Sequence, residues 1–126
     1  MRKSLILAAA LPLLAACGGS IVRSYAAPAP ADALDCSLRT MAGLGYTPIA
    51  GGKNDGYIRF ARAYQTGMIR KSTRYDHITV TSAGSQLRIT VAGVDEDNKA
   101  IKGTEEALGH AQAIISGCGT PQVTGE

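Results

Sequence analysis

Three stretches between Tyr57 and Ala92 alternate apolar with polar or small residues, and this period of two constrains the fold more than any other feature of the chain. In Tyr57–Tyr64, Ile58 and Phe60 point one way and Arg59, Ala61 and Ala63 the other. In Tyr75–Thr81, Ile78 and Val80 oppose His77, Thr79 and Thr81. In the third stretch Leu87, Ile89 and Val91 oppose Arg88, Thr90 and Ala92. The pattern fits an antiparallel sheet with one buried face and one wet face. Ala83-Gly84-Ser85 is short enough for a hairpin link, while Gln65–Thr73 makes a longer loop. Tyr46–Ala50 supplies a further strand, and Pro48, which has no N–H to give to a ladder, places it at an edge.

Helical spacing brackets these strands. After Asp32, a candidate N-cap, Leu34, Leu38, Met41 and Leu44 form one apolar stripe, and Gly43 and Gly45 close the helix. A second helix is predicted from about Thr104 to Gly117, with Leu108, Ala111, Ile115 and Cys118 on one stripe before Gly119 and Pro121. The fold class is therefore α+β: a four-stranded antiparallel sheet with two antiparallel helices on one face, in the order α-β-β-β-β-α. This domain occupies residues 32–119, and residues 120–126 form a loose tail.

The segment ahead of the domain has another character. Met1-Arg2-Lys3 is a short cationic start, and Leu5–Ala16 is an apolar run broken only by Pro12. The run is shorter than the about 20 apolar residues a spanning helix needs, and it has the length of a signal-peptide core. It ends in Leu14-Ala15-Ala16-Cys17, followed by Gly18-Gly19-Ser20. These residues resemble the lipobox of bacterial lipoproteins: a leucine, two small residues and a cysteine. The resemblance implies cleavage of residues 1–16, lipid attachment at Cys17 and anchoring in a membrane. Gly18 in the position after the cysteine favours the outer membrane, facing the periplasm. Residues 17–31 then read as the lipidated cysteine and a flexible Pro/Ala tether ending Ala27-Pro28-Ala29-Pro30-Ala31. Fourteen or so residues at roughly 3.3 Å each allow up to about 45 Å between domain and bilayer.

Export has consequences for the remaining cysteines and for charge. Cys36 and Cys118 are left in an oxidising compartment, where a single intramolecular disulfide is the available pairing. The topology supports it, because a four-strand meander flanked by helices brings the start of the first helix near the end of the second. Such a bridge closes a loop of roughly 80 residues and contributes on the order of 4 to 5 kcal/mol in the chain-entropy model. Loss of Arg2 and Lys3 reduces the formal charge from +3 to +1, which gives no electrostatic case for nucleic acid.

The residues offer little for catalysis. Ser82, Ser85 and Ser116 lack a nucleophile elbow, and His77 and His110, the two histidines, read as surface residues. Asp76 and His77 are neighbours on a strand and point to opposite faces. Asp95-Glu96-Asp97-Asn98 lacks the turn glycine and closing glutamate of a calcium loop, and reads as a solvated acidic turn. Gly51-Gly52-Lys53 is a turn without a phosphate-binding pattern. No catalytic residue, metal ligand or cofactor is expected. The strongest surface feature is the contact patch Arg59, Arg62, Met68, Arg70, Lys71 and Arg74 around the longer hairpin loop, which suits anionic lipid headgroups, an anionic polymer or an envelope protein. The leading expectation is a non-catalytic binding or accessory module of the cell envelope. A small-ligand carrier with a pocket between sheet and helices is the alternative, and an enzyme is disfavoured.

Overall fold

The computed structural model describes residues 21–119. Residues 1–16, Cys17 and the tail 120–126, on which the signal-peptide, lipid-attachment and tail readings fall, lie outside the described residues. The fold is α+β. Strands β1 (Arg23–Pro28), β2 (Thr47–Gly52), β3 (Tyr57–Thr66), β4 (Ser72–Ala83), β5 (Gln86–Val94) and β6 (Ala100–Ile101) form one antiparallel sheet, and the helices are α1 (Ala33–Gly43) and α2 (Glu105–Cys118).

The expected meander is present as β5-β4-β3-β2, with β2 at the edge where Pro48 belongs. Among the described residues the sheet nevertheless has six strands, not four. β1 pairs with β5 from Arg23↔Val91 to Pro28↔Gln86, and β6 continues that row at Gly93↔Ile101. β1 corrects the tether reading, because Arg23–Pro28 is a strand. Its sequence carries one large apolar residue, Tyr25, which packs against the core, and Pro28 sits at the end of an edge strand, where its missing N–H costs little.

The core gathers the alternating residues of the sheet. Ile58, Phe60, Ile78, Val80, Leu87, Ile89 and Val91 are fully buried or nearly so, in one cluster with Ala33, Leu34 and Met41 of α1 and Ala107, Ala111 and Ile114 of α2. The second helix is turned slightly from the expected stripe. Ala107 and Ile114 are buried with Ala111 and Cys118, while Leu108 and Ile115 lie at the margin. Small residues therefore carry the closest approach of α2.

The helix ends differ from one another. Thr104 caps α2, its Oγ1 accepting from the Ala107 N–H at 3.0 Å. Asp32 occupies the N-cap position of α1 but makes no side-chain cap bond, which corrects its expected role. Cys36 and Cys118 form a disulfide with their Cα atoms 5.5 Å apart, tying the first turns of α1 to the last turn of α2. Thr40 Oγ1 lies 3.5 Å from Cys118 Sγ and must be the donor, since a disulfide sulfur has no proton to give.

Candidate functional site

The alternation of β4 places Asp76 in line with Ile78 and Val80, so a carboxylate enters the buried face. It is fully buried, and its partners come from two elements. Oδ1 accepts from the Thr104 N–H at 2.9 Å, and Oδ2 accepts from Thr104 Oγ1 at 2.7 Å and from Arg62 Nη2 at 3.5 Å. The Thr104 hydroxyl thus donates to Asp76 while capping α2, and the strand carboxylate fixes where the helix begins.

Arg62 extends the network outward. Its Nη2 donates to Glu106 Oε1 at 2.7 Å, and its guanidinium lies 5.0 Å from the centroid of the Tyr46 ring. Burial works against the Arg62 charge, but the hydrogen bond to Glu106 and the surrounding field offset it, and its pKa is raised. Glu106 is held below the ordinary carboxylate range by that hydrogen bond and by the Arg62 charge. The Tyr46 hydroxyl is 2.9 Å from His110 Nδ1, with the rings edge to face. Burial, assisted by the charges of Asp76 and Glu106 and opposed by Arg62, pushes the Tyr46 phenol up to about 12. The phenol therefore stays neutral, and the cluster works as a polar clamp between sheet and α2.

The structure divides the expected contact patch. Arg62 is committed to the clamp. Arg74 stands opposite Tyr64 on the same face, half-buried. Arg59 lies on the other face, where its Nε donates to Thr79 Oγ1 at 3.2 Å. Only Met68, Arg70 and Lys71 remain together, at the tip of the β3–β4 hairpin. Met68 and Ile69 are there 96% and 102% exposed, two large apolar side chains with essentially no protein cover. Gly67, at φ 95°, shapes the turn, and a Cβ there would run into the Arg70 carbonyl.

His77, on the open sheet face, and His110 are each half-buried: burial first and Arg59 second depress the His77 pKa, and His110 Nδ1 meets the Tyr46 hydroxyl. The Asp95–Asn98 turn is closed by Asp95 Oδ1, which accepts from the amides of Asp97 and Lys99 at 2.9 Å each. Glu96 reaches across to the hairpin base, accepting from the Thr73 N–H at 3.0 Å. Among the described residues no group of three His, Cys, Asp or Glu side chains is placed to hold a metal ion. No described helix is long and apolar enough to cross a membrane.

No protein-family model matches the chain, and no curated protein matches it. Among solved structures it is similar to a DUF4468 family protein from Bacteroides ovatus, at 12% identity over 86% of this chain and 71% of that one, with a TM-score of 0.44. A likeness of that size carries no functional argument.

Proposed function

We propose that this chain is an exported lipoprotein, anchored through lipid on Cys17, whose domain is a non-catalytic binding or accessory module of the cell envelope. The Leu14-Ala15-Ala16-Cys17 lipobox carries the reading. The Cys36–Cys118 disulfide supports it, since such a bond persists where export would deliver the domain. Gly18 favours the outer membrane, facing the periplasm.

Within this reading the two helices run antiparallel over one face of the sheet. Two contacts support that arrangement: the start of α1 meets the end of α2 at the disulfide, and Tyr46, just beyond α1, meets His110 in the first half of α2. The other sheet face, with Arg59, His77, Thr79, Thr81, Arg88 and Thr90, is then available to an envelope protein or polymer. Within the clamp both Asp76 oxygens, the Thr104 hydroxyl, Arg62 Nη2 and the Tyr46 hydroxyl are engaged with one another, while Arg62 Nε is buried without a partner, and this largely internal pairing supports a structural role for the cluster. The space under the helices is filled by Met41, Ile58, Phe60 and Ile114. A hollow of about 370 Å³ lies instead at Ala26–Pro28, Ser85 and Gln86 and opens to solvent, so a carrier function is not proposed.

Fractionation of cells expressing the Cys17→Ser variant tests the anchor. The variant should accumulate unprocessed or move to the soluble fraction. Normal processing with full recovery in membranes would show that Cys17 is not the attachment point.

A further inference from the structure

Strand register gives the domain two distinct ends. Arg23, where β1 begins, lies opposite Val91, and Tyr75 lies opposite Val94. β5 runs from Val91 to Val94 in the same direction that β4 recedes from Tyr75 to Ser72. The Gly67–Lys71 turn therefore lies at the end of the sheet where the chain enters from Cys17. The disulfide and Gly119 are at the opposite end, where a Cβ on Gly119 would touch Ala27.

Lengths make this polarity consequential. Three residues along β5 and three along β4 carry the hairpin about 20 Å beyond Arg23, at roughly 3.3 Å per residue, before the turn itself is added. From Cys17 to Arg23 the chain spans six residues, which reach at most about 20 Å. A tether this short leaves no room to hold the tip clear of a bilayer in which the Cys17 lipid is embedded while the sheet stands upright. Ile21 and Val22 in the entering chain and Met68 and Ile69 at the tip are exposed apolar residues at this end, and those at the tip are exposed almost completely, against about half for Ile49 in β2. Arg70 and Lys71 follow directly, and Gly67–Lys71 contains no acid. The Glu96 carboxylate lies behind the turn, bonded at the level of Ser72 and Thr73.

We propose that the Met68–Lys71 tip is a second membrane contact. Met68 and Ile69 enter the outer layer of the bilayer and Arg70 and Lys71 pair with anionic headgroups, so that tip and lipid together hold the sheet upright. The acidic turn behind the tip is repelled by the same headgroups and limits entry to the turn. The proposal rests on lipidation of Cys17 for its geometry, while the tip chemistry is tested independently.

The mature, lipidated protein is reconstituted in vesicles of phosphatidylcholine with phosphatidylglycerol, with a fluorophore on Met68→Cys or, as control, on Ser85→Cys in the β4–β5 turn at the far end. Cys17, Cys36 and Cys118 are occupied, so only the new thiol is labelled. Brominated lipids should quench the label at 68 and leave that at 85 unaffected. Arg70→Glu with Lys71→Glu should lower the bound-to-free ratio of the tip by more than tenfold, since each basic residue near an anionic surface changes it about fivefold. Equal quenching at both positions, quenching at neither, or no response to the charge reversal overturns the proposal. Intact mass reports separately on the acyl chains. If they are absent, the anchoring reading fails, and the same labels on protein that also carries Cys17→Ser, added to preformed vesicles, still decide the tip.

Discussion

Asp76 is one residue whose removal should be felt throughout the domain. Asp76→Ala leaves the Thr104 N–H and hydroxyl and the Arg62 guanidinium short of a partner in a buried setting. Arg62 keeps its pair with Glu106, and the cost comes from the two Thr104 donors, each left without its buried acceptor at about 1 to 3 kcal/mol. Urea denaturation should show a loss of at least about 3 kcal/mol, and Thr104→Ala, which removes both the helix cap and the hydroxyl donor to Asp76, should cost about 2 to 3 kcal/mol. Arg62 also sets the titration of Glu106. In Arg62→Leu the Glu106 carboxyl, followed by NMR, should titrate at a higher pH than in the wild type. The sign for stability follows. A depressed folded pKa means that Glu106 supports the fold above its unfolded pKa, and that this support is lost as pH falls through the lowered folded value. Equal midpoints in the two proteins would show that the ion pair does not persist in solution.

At the scale of elements, the alternation of two made β3, β4 and β5 legible, because each buries one face and wets the other. The same alternation held the clue to the clamp: Asp76 has the parity of Ile78 and Val80, so its carboxylate had to enter the core and find donors there. Those donors, Thr104 and Arg62, are 28 and 14 residues away and no local pattern reveals them. β1 was hidden for another reason. Its alanines and proline have weak strand character, and it forms because β5 offers it an unpaired edge. The basic patch failed as a unit because proximity in sequence ignores which face a strand residue occupies. A check on β1 is Tyr25→Ser, which removes its one large core contact. The substitution should cost about 2 kcal/mol, in the lower range for losing a large apolar contact. It should also accelerate amide exchange in β1 before β3 or β4. Uniform acceleration across the sheet would mean that β1 does not open separately.

For the whole molecule, the disulfide joins two helices through cysteines that lie 82 residues apart in the chain. The ends it ties are far from the hairpin tip, so its effect belongs to stability and not to the Met68–Lys71 turn. The core it closes leans on alanines in α2, Ala107 and Ala111, which bury little apolar area each. A small domain of this kind depends strongly on its cross-link. The Cys36→Ser, Cys118→Ser double variant should lose about 2 to 5 kcal/mol. For a domain of about 100 residues that lowers the midpoint of thermal unfolding by roughly 10 to 30 °C. The double variant is the right comparison, because a single serine would leave a lone thiol free to form mixed disulfides. Intact mass before and after reduction and alkylation supplies the companion measurement, with two thiols appearing only on reduction. Wild-type protein whose midpoint is unchanged by reductant would show that the helices hold together without the bridge.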